Sequence, residues 1–145
     1  AGGIGYDVGY LYYNYDDAAN FDFGEIYASI TMSAFTLGMN VLSNTEADEG
    51  LNQDFGFGKA SYIYADYATE VRDGVELGFH VGYHSGDFNE AFNGVPGNYT
   101  DYNISLSKDG FSFMISDTNL DAVPGDELLN DEMKFVVGYS TDIQL

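Results

Sequence analysis

The chain has 145 residues, of which 24 are acidic and four are basic, and its formal net charge is −20 at neutral pH. This charge excludes nucleic-acid binding, because phosphate contacts need lysine and arginine, and it equally excludes a polybasic patch for anionic lipids. The 13 tyrosines, 11 phenylalanines and 45% hydrophobic residues are too many for a disordered acidic tail. No cysteine is present, so there is no disulfide framework. The length predicts a single domain over residues 1–145.

Eight segments of alternating apolar and polar residues predict strands that each have one apolar face. The predicted segments are 4–15, 23–33, 35–42, 57–69, 75–85, 99–107, 111–116 and 133–145. The links between them alternate in length. The long ones (16–22, 43–56, 86–98 and 117–132) hold most of the acidic residues and both prolines. The short ones, near 33–34, 72–74 and 108–110, predict tight hairpins, two of them with the Asp-Gly signal.

The apolar positions of the segments are clear in all but one case. In the fifth segment, Val75, Leu77 and Phe79 alternate with polar residues and glycine. In the fourth, residues 62–64 read Tyr-Ile-Tyr, so its two faces stay unassigned. We find no helical periodicity of useful length.

The alternation of long and short links predicts an all-β fold. The predicted architecture is an antiparallel up-and-down transmembrane β-barrel of about eight strands. Outer-membrane barrels have long loops at one end, short turns at the other and strands of about ten residues. Tyrosines near strand ends suit an interfacial aromatic girdle; they are Tyr12, Tyr13, Tyr83, Tyr102 and Tyr139. The last segment is apolar at alternate positions, which resembles the signal read by the outer-membrane assembly machinery. The expected location is therefore the bacterial outer membrane.

Two blocks of sequence carry a family resemblance. Residues 5–15 read GYDVGYLYYNY and residues 23–29 read FGEIYAS, and 77–83 and 135–139 add the glycine-aromatic patterns LGFHVGY and FVVGY. These resemble the TorF-like porin family of Gram-negative outer-membrane proteins, first catalogued as conserved proteins of unknown function. Family members have several strands before the first block. The resemblance therefore implies that the chain corresponds to the C-terminal part of a barrel of about twelve strands.

The polar faces of the segments predict the lining of the barrel lumen. With more acid than base, a water-filled lumen attracts cations and repels anions. The equally weighted alternative is that these groups pair inside a plugged barrel, for example Lys134 with Glu25 or Glu76. The predicted lining residues are Asp7, Glu25, Thr36, Asn40, Glu76, His80, His84, Asn103, Ser105 and Lys134.

The acidic links suggest a second kind of site, where oxygen ligands alone hold Ca²⁺ or Mg²⁺ loosely. Such ions would bridge to lipopolysaccharide phosphates, while the simpler interpretation is a solvated acidic surface. The residues concerned are Glu46, Asp48, Glu49, Asp126, Glu127, Asp131 and Glu132. A metal site at His80 and His84 is disfavoured, because strand residues four apart are about 13 Å apart.

We predict no enzyme activity. Ser85 adjoins His84, but neighbours on a strand point to opposite faces and do not form a triad, and no Gly-x-Ser-x-Gly motif is present. The predicted function is passive diffusion of small solutes through an outer-membrane porin, with membrane lipid and the assembly machinery as partners. The alternatives are a non-conducting barrel whose acidic loops bind a partner or divalent cations, and a secreted tyrosine-rich β-protein that self-assembles.

Overall fold

The computed structural model describes residues 3–121 and 131–141 of the chain. Within them lie eight strands in one antiparallel sheet, each strand paired with its neighbours in sequence. This confirms the predicted all-β, up-and-down fold. The sheet is open, and its two edges are the first and the last strand. The strands are β1 Ile4–Tyr13, β2 Phe23–Met32, β3 Phe35–Thr45, β4 Ser61–Arg72, β5 Val75–Ser85, β6 Tyr99–Lys108, β7 Phe111–Thr118 and β8 Lys134–Tyr139.

The alternation of long and short links is present as predicted. Two-residue turns join β2 to β3, β4 to β5 and β6 to β7, and they all lie at one end of the sheet. In the Asp-Gly turns, Asp73 and Asp109 have φ values of 35° and 51°, and the glycines that follow have 77° and 83°. This doubly left-handed backbone matches the twist of a hairpin, and aspartate and glycine tolerate it.

Several predicted boundaries were wrong. The strands β3, β4 and β7 end two or three residues later than predicted. The last segment was predicted to reach Leu145, but β8 ends at Tyr139, and residues 142–145 lie outside the described residues.

The fourth segment was predicted at 57–69, but β4 begins at Ser61, because residues 46–60 form a loop that folds back on the sheet. The first was predicted to reach Tyr15, but β1 ends at Tyr13. The carboxylate of the buried Asp22 instead accepts hydrogen bonds from the backbone N–H of Tyr15 at 2.7 Å and from Asn14 Nδ2 at 3.0 Å.

The long links also contain short helices that the sequence pattern did not predict. A single 3₁₀ turn spans Ala19–Phe21, and the helix α1 spans Asp87–Asn93. Helix α1 begins after Gly86 and ends before Gly94. Gly94 has a left-handed backbone, and its N–H donates to the carbonyl of Glu90. In the described residues, no helix is both long enough and apolar enough to span a membrane.

The apolar face of the sheet is more exposed than the polar face, which is the reverse of the usual arrangement in a water-soluble protein. The apolar face, defined by alternate residues such as Leu37, Ile63 and Ile104, lies open, with exposed fractions of 51%, 54% and 41%. The polar face is half-buried along β3 to β6, although no second layer of the described residues covers most of it. The sheet therefore curls around its polar side chains.

A small hydrophobic cluster lies on the polar face at the end where the long loops are. Phe88 of α1 and Phe55 of the loop 46–60 pack there against Phe23 and Leu42 of the sheet. These are among the few large apolar side chains buried in the described residues. Helix α1 and this loop are therefore fixed over the loop end of the curled sheet.

Candidate functional site

The structure places all ten predicted lining residues on the polar face. The register aligns, for example, His80 with Asn103, Ser116 and Lys134 across β5 to β8. It brings some of the ten together: Asn40 Nδ2 donates to Glu25 Oε2 at 3.3 Å. Among the described residues, no ion pair joins Lys134 to Glu25 or Glu76, so the internal pairing offered as an example is not formed.

A network of polar side chains on β4, β5 and β6 is the most connected part of this face. His80 is at its centre, with a side chain only 18% exposed. Its Nδ1 lies 2.6 Å from Asp66 Oδ1, and its Nε2 lies 2.6 Å from the Tyr62 hydroxyl and 3.1 Å from Asp101 Oδ1. Two carboxylates thus flank one imidazole.

Asp101 on the neighbouring strand β6 lies within 4 Å of both His80 and His84 and so links them. His84 Nε2 lies 3.4 Å from Asp101 Oδ2, but this oxygen has no aligned hydrogen-bond donor among the described residues. The ring of His84 is stacked between those of Tyr62 and Tyr99, with centroid distances of 4.2 and 4.3 Å. The histidines are therefore held in place by carboxylates and aromatic rings.

The absence of a side chain at Gly82 creates the space for this network. Gly82 lies between the two histidines on β5, opposite Tyr64 on β4 and Asp101 on β6. A Cβ atom there would overlap the ring and hydroxyl of Tyr62. Glycine is therefore required because the Tyr62 ring lies directly over this backbone.

The hydrogen bonds of His80 depend on which of its ring nitrogens carry a proton. With a proton on Nδ1 alone, His80 donates to Asp66 and accepts from the Tyr62 hydroxyl, but Nε2 then faces Asp101 Oδ1 at 3.1 Å with no proton between them. With protons on both nitrogens, His80 donates to Asp66 and to Asp101, and the Tyr62 hydroxyl donates to Asp101 at 3.3 Å.

Sequence reasoning found the two histidines of this network but missed its other members. Tyr62 and Asp66 lie on β4, whose faces could not be assigned, and Asp101 lies before the first predicted face residue of its segment. The signal that would have found Asp101 is the register of β5 with β6, which places it opposite Gly82. That register depends on the loop between the strands.

Two cavities lie at the loop end, on either side of α1. One of about 320 Å³ is bounded by α1 and strands β1 to β5, and we call it the aromatic cavity because Tyr13, Tyr15, Phe23, Phe88 and Phe92 line it. The other, of about 370 Å³, lies between α1 and strands β6 to β8, where Lys134 and Glu132 line it.

The predicted divalent-cation residues that the structure describes lie in two separate loops, at 46–49 and at 131–132. Asp126 and Glu127 lie outside the described residues. Glu49 accepts a hydrogen bond from the N–H of Phe55 at 2.8 Å and so stabilises the loop that also contains Glu46 and Asp48. Within residues 3–121 and 131–141, no three histidine or carboxylate side chains are grouped to hold a metal ion. Loose binding of Ca²⁺ or Mg²⁺ stays a prediction.

The comparisons with known proteins give a family without an assigned activity. No curated protein and no solved structure matches the chain. The resemblance to TorF-like porins therefore stays a prediction. One family model, described as "Bacterial protein of unknown function (Gcw_chp)", matches residues 1–142. The chain thus belongs to the bacterial family Gcw_chp.

Proposed function

We propose that this chain forms the wall of an outer-membrane β-barrel that lets small solutes diffuse through it and favours cations. The observation that carries the proposal is the exposure of the two faces. A curled sheet with an open apolar face and a sheltered polar face suits surroundings of lipid outside and water inside. In water alone, such a large exposed apolar surface would drive association.

The distribution of aromatic residues supports the same surroundings. On the apolar face, Tyr12, Tyr83 and Tyr102 lie near the loop end, while Phe111 and Tyr139 meet near the turn end, with ring centroids 4.6 Å apart. Aromatic rings at both ends of an apolar band are typical of the two interfaces of a membrane. Tyr13 does not belong to this set, because it lies on the polar face and stacks on Phe23.

The edges of the sheet add a requirement. Each backbone N–H or C=O group that is left unpaired in hydrocarbon costs several kcal/mol, so an open sheet edge is not tolerated there. In a membrane, the outer edges of β1 and β8 therefore need partners: each other, further strands or a second copy.

The preference for cations follows from the charges on the polar face. Six carboxylates lie there in the described strands, against two histidines and one lysine. The negative potential of such a lining concentrates cations and repels anions. The six carboxylates belong to Asp7, Glu25, Asp66, Glu70, Glu76 and Asp101.

A specific observation also favours the non-conducting alternative. Phe55 and Phe88 pack over the loop end of the polar face and narrow the entrance there. If they close it, the chain is a membrane anchor whose acidic loops face outward to bind a partner.

Two experiments in sequence test the proposal. A closed membrane barrel resists cold SDS and changes its migration on boiling, so the detergent-extracted protein should give two gel positions. Purified protein in a planar bilayer should then conduct, with K⁺ more permeant than Cl⁻. A shift without conductance would favour the anchor. A protein that stays soluble without detergent and shows no shift would refute the membrane location and leave the secreted β-protein.

A further inference from the structure

The aromatic cavity has the composition of a site for a small organic cation. Its volume of about 320 Å³ is at the low end of the range for ligand pockets. Six tyrosine and phenylalanine rings, the ring of His84 and the carboxylate of Glu25 line it, and Asn40 adds a polar amide. Aromatic faces attract cations through their quadrupole, and sets of such rings bind quaternary ammonium groups.

The rings of this cavity hold one another in place. Phe23 on β2 contacts Tyr13 on β1 at 4.4 Å and Phe92 on α1 at 5.1 Å between ring centroids. Phe92 in turn lies 5.9 Å from Tyr15 and 5.4 Å from Phe88. Because they are contributed by a strand pair, a loop and a helix, the rings are positioned before any ligand arrives, which lowers the entropic cost of binding.

Glu25 supplies a negative charge without a cationic partner. Its described polar contacts are with two neutral groups, the amide of Asn40 and the hydroxyl of Tyr13, and no ion pair with Glu25 is formed among the described residues. Neither Lys59 nor Lys134 lines the cavity: Lys59 pairs with Asp54 at 2.9 Å, and Lys134 lines the cavity on the other side of α1. A bound ammonium group would therefore meet one uncompensated carboxylate.

We propose that the aromatic cavity between α1 and strands β1 to β5 binds a small organic cation of the methylated-ammonium class. The cation's methyl groups contact the rings of Phe23, Phe88 and Phe92, and Glu25 provides the countercharge. The inference goes beyond solute diffusion and does not depend on the membrane, because every residue that carries it lies in one cavity of the folded chain.

The test compares choline with its uncharged carbon isostere, 3,3-dimethylbutan-1-ol, by isothermal titration calorimetry on the full chain. The two ligands have nearly the same shape, so a difference between them reports the charge. We expect choline to bind on the order of tenfold more tightly than the isostere. Equal binding of the two, or no binding of choline, would overturn the proposal.

Variants locate the site. Glu25→Gln keeps the size of the side chain and should weaken choline binding on the order of tenfold while leaving the isostere unchanged. Phe92→Leu removes one ring and should weaken choline similarly. The control is Glu70→Gln at the turn end of β4, which should change nothing. Unchanged choline affinity in Glu25→Gln would overturn the proposal even if Phe92→Leu fails to fold.

The outcomes of this test are separate from those of the proposed function. If the protein conducts but calorimetry shows no preference for choline over its isostere, the proposed diffusion of solutes stands and the proposed cation site is refuted. If choline binds but the protein stays soluble without detergent and shows no heat-dependent gel shift, the proposed cation site stands and the membrane barrel is refuted.

Discussion

A lysine placed on the apolar face should distinguish lipid from water as the neighbour of that face. Ile104 lies in the middle of β6, between Phe79 on β5 and Ile115 on β7, and is 41% exposed. In a membrane, Ile104→Lys puts a charge near the bilayer midplane, which costs about 2–4 kcal/mol. On a surface that faces water, the same change would alter the free energy of unfolding by only about 0.5 kcal/mol.

The adjacent residue provides a matched control. Ser105 lies on the polar face of the same strand, one position further along and at nearly the same depth. Ser105→Lys should therefore change the free energy of unfolding by less than about 1 kcal/mol, because a lysine there lies on the polar face, which the proposal places in water. Ile104→Gln separates the effect of charge from that of lost apolar area.

The assay is unfolding by urea in lipid vesicles, followed by the folded band in cold SDS gels. The gel is suitable because the chain has no tryptophan for fluorescence. The reasoning would be refuted if Ile104→Lys were no more destabilising than Ser105→Lys. In that case the open apolar face would not contact lipid.

Three further predictions concern contacts seen in the structure. Gly82→Ala should push the Tyr62 ring out of the histidine network and destabilise the fold by about 1–3 kcal/mol, measured by urea unfolding and by NMR of the histidine rings. Asp22→Ala removes a buried carboxylate that accepts several hydrogen bonds and should cost about 3 kcal/mol in the same unfolding assay. Lys59 lowers the pKa of Asp54 below its ordinary 3.8, and Asp54 raises the pKa of Lys59 above its ordinary 10.5. Protection of the loop 46–60 from hydrogen exchange should therefore fall when the pH drops through the lowered pKa or rises through the raised one.

Each of these predictions has its own control. Gly78→Ala should be much milder than the change at Gly82, because its new methyl group would meet only the rotatable hydroxyl of Ser105; equal effects would contradict the steric argument. Asp22→Asn keeps one acceptor and should recover part of the loss. The Asp54–Lys59 pair is exposed, so high salt should abolish its pH dependence, and a dependence that survives salt would point to another group.

The local features of this fold were readable from the sequence. The alternation of apolar residues, as in Val75, Leu77 and Phe79, reflects the two-residue period of a strand, which depends on neighbours along the chain alone. The Asp-Gly turns were readable for the same reason, because their backbone conformation is chosen by two residues. Once the turns are set, the hairpin registers follow, and the ten predicted lining residues share one face.

Contacts between distant strands and the folding of the long loops were decided only by the tertiary structure. Asp101 meets His80 and His84 because the loop between β5 and β6 sets the register that puts it opposite Gly82. Helix α1 has only seven residues, too few for a periodic signal. An isolated helix of that length is unstable, so α1 depends on its packing against Phe23. The alternation also reads the same whether the apolar face points inward or outward, and only the curl of the whole sheet decides which face is sheltered.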